Sequence, residues 1–223
     1  MSAVIKLKDV SKKFGNKEIF RNVSLDIEEG STVGFVGENG SGKSVLFQII
    51  AGLIPVDSGT VTVMGELIGD KKDFPDSVGI LINDPGYIEY YSGYKNLKLL
   101  AEIKNVISDE EIRKVMKMVG LNCNDRTPVR KYSMGMKQKL GIAQAFMENQ
   151  QIVILDEPYN ALDYKTNHDI TNVIKQLKEE GRTVLLTSHQ HEYLERLCDI
   201  TYCLYEKKIV PFTDELRQLY FRI

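Results

Sequence analysis

Short, uniformly apolar runs rich in β-branched residues recur at positions 32–36, 78–82, 152–155 and 183–187. Runs of this kind predict strands buried on both faces. Between them the apolar positions switch to helical spacing. Val45, Leu46, Ile49 and Ile50 form one stripe, and Leu97, Leu100 and Ala101 a second. Ile112, Val115, Met116 and Val119 form a third, and the set Leu140, Ile142, Ala143, Ala145 and Phe146 a fourth. Ile170, Val173, Ile174 and Leu177 make a fifth, stopped by Gly181, and a sixth helix crosses Tyr193, Leu194 and Leu197. Strand-like runs also open the chain at 4–10 and 19–27, joined by a polar turn over 12–18. A turn at 55–59 precedes an alternating strand at 60–63, and two short strand-like pieces flank Glu206, Lys207 and Lys208. Alternating strands and helices predict an α/β fold with a mostly parallel sheet, whose ligand sits at the carboxyl ends of the strands.

The pattern changes over residues 87–134, which are more helical and more charged. Ser92 is placed to cap one helix there, and Ser108 with Glu111 forms a capping box for another, closed by Gly120. This stretch reads as a helical insert between two β/α halves, 1–86 and 135–223. Tyr87, Tyr90, Tyr91 and Tyr94 fall at helical intervals within it. They fit either core packing of the insert or an aromatic patch that docks another protein.

Candidate chemistry clusters at three strand ends. Residues 37–44 follow the first buried run and read Gly37-Glu38-Asn39-Gly40-Ser41-Gly42-Lys43-Ser44. With a strand before and a helix after, this is the context of a phosphate-binding loop. The glycines let backbone N–H groups curl around phosphate oxygens, and the helix turns its positive end to the same anion. Lys43 can reach the β- and γ-phosphates, and the Ser44 hydroxyl can hold Mg²⁺. At the end of the run 152–155 stand Asp156 and Glu157. Neighbouring residues of a strand point to opposite sides, so the pair can divide two tasks. Asp156 is expected at Mg²⁺ and Glu157 as the general base for an attacking water. His189 follows the run 183–187 and can hydrogen-bond a γ-phosphate. His168 and His191 lie in polar, helical surroundings and read as structural. Phe14 stands alone in the polar turn, either a face on which adenine stacks or a residue folding back on the core.

The bulk numbers narrow the setting. With 223 residues and 43% hydrophobic content the chain can bury one sizeable core. A formal charge of −2 gives no basic field for nucleic acid, so no nucleic-acid partner is expected. Cys123, Cys198 and Cys203 lack metal-like spacing and read as reduced thiols. No signal-peptide core and no run of about 18 apolar residues is present, so any membrane-spanning part is expected on another chain.

Taken together these residues resemble the ATP-binding subunit of an ABC transporter, over nearly the whole chain. Residues 37–44 are similar to its Walker A motif and 152–157 to its Walker B motif. Ala161-Leu162-Asp163 resembles the D-loop, His189 the switch histidine, and Phe14 the adenine-stacking aromatic. Tyr132-Ser133-Met134-Gly135-Met136 resembles the ABC signature, the motif that other P-loop families lack. The resemblance implies a RecA-like P-loop NTPase core with an N-terminal antiparallel β region and an inserted helical subdomain, all in one domain. It implies ATP contacts at Phe14, Gly37, Asn39, Gly40, Ser41, Gly42, Lys43, Ser44 and Val45, and hydrolysis through Lys43, Glu157 and His189. Mg²⁺ would be held by Ser44 and Asp156, with Asn83, in the Q-loop place, a further candidate ligand. It further implies a head-to-tail pair, with a second copy or a similar subunit, in which Ser133 and Gly135 of one chain complete the site of the other. Separate transmembrane permease subunits would carry the cargo, with this chain cytoplasmic and peripheral on the inner face of the membrane.

Two motifs depart from the family pattern. The signature has Tyr132, Met134 and Met136 in place of leucine, glycine and glutamine, while keeping Ser133 and Gly135. Asn83 stands where the Q-loop glutamine is expected, one methylene shorter, followed by Asp84, Pro85 and Gly86 as in some exporter-type subunits. Other readings fit less well. A GTPase would carry an Asn-Lys-x-Asp stretch, and a chromosome-type ATPase a long heptad repeat between Lys43 and Asp156. A ribosome-type member usually carries two cassettes. A non-hydrolysing regulatory module would not need Glu157.

Overall fold

Uniformly apolar runs become the middle of a six-stranded sheet because each of their residues faces a covered side. The structure is a computed structural model, described here for residues 3–69, 74–82 and 86–221. Its first half supplies β1 (Ala3–Phe14), β2 (Lys17–Glu28), β3 (Thr32–Val36), α1 (Lys43–Ile50), β4 (Ser58–Val63), β5 (Glu66–Leu67) and β6 (Val78–Leu81). The insert contributes α2 (Gly93–Lys104), α3 (Asp109–Met118) and a 3-10 turn at Val129–Lys131. The second half comprises α4 (Met134–Phe146), β7 (Ile152–Leu155), α5 (Tyr164–Glu179), β8 (Thr183–Thr187), α6 (His191–Leu197), β9 (Ile200–Tyr205), β10 (Lys208–Pro211) and α7 (Asp214–Phe221).

The large sheet runs β10-β9-β3-β8-β7-β6, parallel throughout except for the β9–β10 hairpin. A separate antiparallel sheet, β2-β1-β4-β5, lies over α1. Along β7, Ile152 and Ile154 join the apolar cluster shared with α1 and the antiparallel sheet. Val153 and Leu155 join the cluster formed with α2 to α6 on the other face. The insert shares that second cluster, through Leu97, Ile112, Met116 and Tyr132, so its helices are fastened to α4. Both expected caps form: Ser92 caps α2, and Ser108 with Glu111 closes a capping box on α3.

Several expectations are corrected. β1 continues through the polar residues assigned to a turn, and only Gly15 and Asn16 separate it from β2. The cause is tertiary. Lys12 is buried and its Nζ donates to Asp57 at 3.1 Å, while β-bulges around Val10 and Lys12 absorb the lost alternation. The short β5 and the terminal α7 had no counterpart in the sequence reading. The four tyrosines share no helix, since α2 begins only at Gly93. Tyr87 and Tyr94 pack against the core, with the Tyr87 hydroxyl donating to the Lys137 carbonyl at 2.7 Å. Tyr90 is 74% and Tyr91 44% exposed. Asn83, Asp84 and Pro85 lie outside the described residues. Among the described residues no helix is long and apolar enough to cross a membrane.

Candidate nucleotide site

Strands β3, β7 and β8 end side by side, and their carboxyl ends deliver the three groups of polar residues to one place. After β3 the chain turns through Gly37 at φ 156° and Gly42 at φ 110°. A Cβ on Gly37 would stand 2.6 Å from Ser41 Oγ, and one on Gly42 2.5 Å from Ile19 Cγ2, so neither position admits a side chain. α1 then starts with Gly42 as its cap residue, no capping side chain and no acid in its first turn. Its positive end therefore faces the cleft without an internal counter-charge. Lys43 folds across the loop, its Nζ donating to the carbonyls of Gly37 at 2.7 Å and Glu38 at 3.2 Å. Burial lowers the Lys43 pKa, against the pull of Glu157 and Asp156.

Asp156 is held at both oxygens. Ser44 Oγ donates to Oδ2, and Thr187 Oγ1 donates to Oδ1 at 2.7 Å. Thr187 Oγ1 also accepts from the Glu157 N–H at 2.8 Å, so one hydroxyl at the end of β8 ties down both acids. Glu157 Oε2 accepts from the His189 N–H at 3.2 Å, and Oε1 lies 3.4 Å from His189 Nε2. That Oε1 is buried and makes no hydrogen bond. Burial is the main reason the Glu157 pKa is raised; His189 and Lys43 oppose it.

The two acids do not diverge as strand neighbours would. Glu157 has left the strand at φ 50°, and this left-handed step turns its carboxylate into the same cleft as Asp156. Strand alternation applies only while the backbone stays extended.

The cleft has a volume of about 730 Å³ and is lined by Asn39, Gly40, Gly42, Lys43, Ser44, Val45, Asp156, Glu157, His189 and, from the far wall, Met134 and Gln138. A second cavity of about 430 Å³, between the end of α1 and β4–β5, has no charged residue in its lining. The first brings Lys43 and Ser44 of the glycine loop together with Asp156, Glu157 and His189, so it is the candidate site. Ser41 lies just behind it, with its Oγ buried and free of hydrogen bonds. Ser44 and Asp156 offer a hard divalent cation two adjacent oxygens. Among the described residues no group of three acids, histidines or cysteines surrounds them. That donor set fits Mg²⁺, which keeps waters and phosphate oxygens in its shell.

Other expected residues are placed as follows. Phe14 is 47% exposed with the Lys12 ammonium 5.2 Å above its ring, and so does not fold back on the core. Ser133 is exposed and caps α4, accepting from the Met136 N–H at 3.2 Å. Gly135 is buried, where a Cβ would stand 2.8 Å from Thr166 Oγ1. Neither lines the cleft of its own chain, although Met134 between them does. Asp163 caps α5, accepting from the Thr166 N–H at 2.9 Å and from its hydroxyl at 3.0 Å. His168 and His191 lie outside the cleft lining. Sequence reasoning missed Thr187, whose one signal was a hydroxyl ending an apolar strand beside a paired-acid strand. It also missed the partner of Tyr132, whose buried hydroxyl accepts from the Gly93 N–H at 3.1 Å.

Residues 20–160 match the ABC transporter family. The chain belongs to that family. It is 38% identical to the uncharacterized ABC transporter ATP-binding protein YybJ of Bacillus subtilis (strain 168), over 88% of this chain and 90% of the relative. It is 33% identical to the lantibiotic transport ATP-binding protein SrtF of Streptococcus pyogenes, over 93% and 89%. Among solved structures it resembles the dimeric post-hydrolysis state of the ATP-binding cassette MJ0796 bound to ADP and Pi. That likeness has a TM-score of 0.81 at 26% identity, over 92% of this chain and 96% of the other. This ABC transporter chain thus has the cassette fold that its motifs imply, with a parallel core and an antiparallel β region. Within it, Gly93 makes room for the tyrosine that precedes Ser133. A Cβ on Gly93 would meet the Tyr132 hydroxyl at 2.8 Å, so the larger side chain at 132 depends on the missing one at 93.

Proposed function

We propose that this chain binds and hydrolyses ATP to power export of a substrate through separate transmembrane subunits. Lys43, the open start of α1 and the glycine turns form the phosphate cradle, Ser44 and Asp156 hold Mg²⁺, and Phe14 offers an exposed face to adenine. When bound, Mg²⁺ would neutralise charge building on the β- and γ-phosphate oxygens. Glu157 takes the proton from the attacking water, and His189 holds the carboxylate that does so. The raised pKa of Glu157 suits it to act as a base closer to neutral pH than an ordinary glutamate. Ser133 and Gly135 are assigned to the site of a second copy, in head-to-tail pairing, because neither lines the cleft of its own chain. The 87–134 insert is assigned as a helical subdomain, and exposed Tyr90 and Tyr91 as part of the surface that meets the membrane partner. The names of relatives such as SrtF, a lantibiotic transport protein, support the lean to export.

One observation carries the proposal: a buried, unbonded Glu157 oxygen faces the same cleft as the Lys43 ammonium and the Ser44–Asp156 pair. The test is Glu157→Gln. Turnover should fall by at least 100-fold while ATP now traps a dimer visible by size-exclusion chromatography with light scattering. Wild-type rates in the variant would remove Glu157 as the base.

A further inference from the structure

Glu157 and His189 both sit on loops, and their contact needs the loops to keep a fixed separation. The Glu157 side is a four-residue turn through Pro158 and Tyr159, closed by the Asn160 N–H donating to the Glu157 carbonyl at 3.2 Å. The His189 side is the first turn of α6, where the Tyr193 N–H donates to the Gln190 carbonyl at 3.2 Å. α6 has no side-chain cap at Gln190. Just before it, the Ser188 hydroxyl accepts from the Gln190 N–H at 3.0 Å and donates to the Gln190 carbonyl at 3.2 Å. This shapes the backbone around His189 and leaves its distance from the Glu157 loop to contacts between the two loops. Besides the His189 N–H bond to Glu157 Oε2, a pair of rings joins the two turns. Tyr159 and Tyr193 stack with centroids 4.1 Å apart and planes within 10°. Tyr159 is fully buried, and its hydroxyl is hydrogen-bonded with Thr171 Oγ1 of α5 at 3.3 Å. The inner ring is thus anchored to α5, and Tyr193 is the ring by which α6 leans on it.

We propose that Tyr193, stacked on Tyr159, is a positioning residue that holds His189 against Glu157. Tyr193 lies four residues beyond His189, and Tyr159 two residues beyond Glu157. Sliding one ring over the other therefore moves the acid and the imidazole apart. The stack depends on the ring of Tyr193, so phenylalanine should replace it and an aliphatic side chain should not. This rests on the proposed roles of Glu157 and His189, and deepens them.

The test uses the full chain with Tyr193→Phe, Tyr193→Leu and the milder Tyr193→Met, the last standing in if leucine prevents folding. The first readout needs no hydrolysis. In nucleotide-free protein the His189 imidazole resonances should shift when Glu157→Gln is introduced, in wild type and in Tyr193→Phe. In the aliphatic variants that response should be lost. The second readout is steady-state ATPase. The aliphatic variants should lose about 10- to 100-fold in kcat with KM for ATP within twofold, as expected for misplacement near 1 Å, and Tyr193→Phe should stay within threefold of wild type. A retained His189 response with near-wild-type kcat in Tyr193→Leu or Tyr193→Met would overturn the proposal. So would a Tyr193→Phe variant as impaired as they are, which would give the role to the hydroxyl. A His189 response present in wild type and lost in the aliphatic variants, in a protein that does not hydrolyse ATP, would leave the stack standing and remove the proposed function instead.

Discussion

Replacing Gly79 with alanine drives one methyl group into a helix backbone. Gly79 sits in β6 under α4, and its added Cβ would stand 1.5 Å from the Ala145 carbonyl oxygen and 2.6 Å from the carbonyl carbon. A carbon approaching a carbonyl oxygen needs about 3.3 Å, so α4 or β6 must yield by roughly 1.8 Å. Neither obstacle is a flexible side chain, and β6 is held by β7 through four parallel register pairs. Retreat of α4 lifts Leu140, Ile142, Ala143 and Phe146 from a cluster in which each is buried. A gap of 0.5 to 1 Å already forfeits about a quarter to a half of the dispersion attraction. If two such side chains each lose half of about 1.5 to 3 kcal/mol, repacking costs roughly 1.5 to 3 kcal/mol before any backbone strain. Overpacking elsewhere costs about 1 to 3 kcal/mol, and this clash belongs at the upper end, near 3. For a chain of this size that lowers Tm by about 6 to 12 °C. Urea unfolding followed by circular dichroism, with calorimetry, measures both. Gly181→Ala is the comparison, since its Cβ meets nothing within 4 Å and only its φ of 76° is costly. A loss below about 1 kcal/mol for Gly79→Ala, or one no larger than for Gly181→Ala, would refute the wedge argument.

Two further outcomes follow from the placement of single groups. Because burial raises the Glu157 pKa, its base form fills only above the ordinary glutamate value of 4.5. The acid limb of kcat should therefore sit above 4.5, with turnover falling as pH drops through it; an acid limb at or below 4.5 would contradict Glu157 as the buried base. The Cys198 thiol is pushed up to about 12 by burial, with its sulfur 2.9 Å from the place a Gly34 Cβ would take. At pH 8 about one thiol in ten thousand would be ionised there, so iodoacetamide should label Cys123 in the folded chain and reach Cys198 only in urea. Equal labelling rates, read by mass spectrometry, would show that Cys198 is open to solvent.

The parts of the site legible in the sequence are those built from neighbouring residues. The glycine turn, Lys43 and Ser44 are one local unit, and Asp156, Glu157 and His189 each end an apolar strand. Ser92 and Ser108 were legible as caps for the same reason, because a cap bonds within three residues. What was illegible depends on residues far apart. Lys12 continues β1 because Asp57 waits for it 45 positions away. Tyr132 is tolerated because Gly93 lacks a side chain, and Gly79 is required because α4 passes over it. The tyrosine spacing could not choose between core and surface because periodicity records only positions. Asn96 closes the preceding loop by donating to the carbonyls of Ile88 and Ser92, which leaves Tyr90 and Tyr91 outside and Tyr87 and Tyr94 against the core. Glu157 was assigned to the right strand end but the wrong side, since nothing in its neighbours announces a left-handed backbone.

That left-handed step at Glu157 has an evolutionary side. A residue with a Cβ held there carries about 1 to 2 kcal/mol of strain that glycine would not, and burial of its charge adds to the load. The chain would therefore gain robustness by discarding this acid. Laboratory selection for soluble yield or heat tolerance alone should enrich glycine or asparagine at 157, delivering sturdy proteins that have ceased to turn over. Any engineering campaign on this scaffold has to keep activity in the screen.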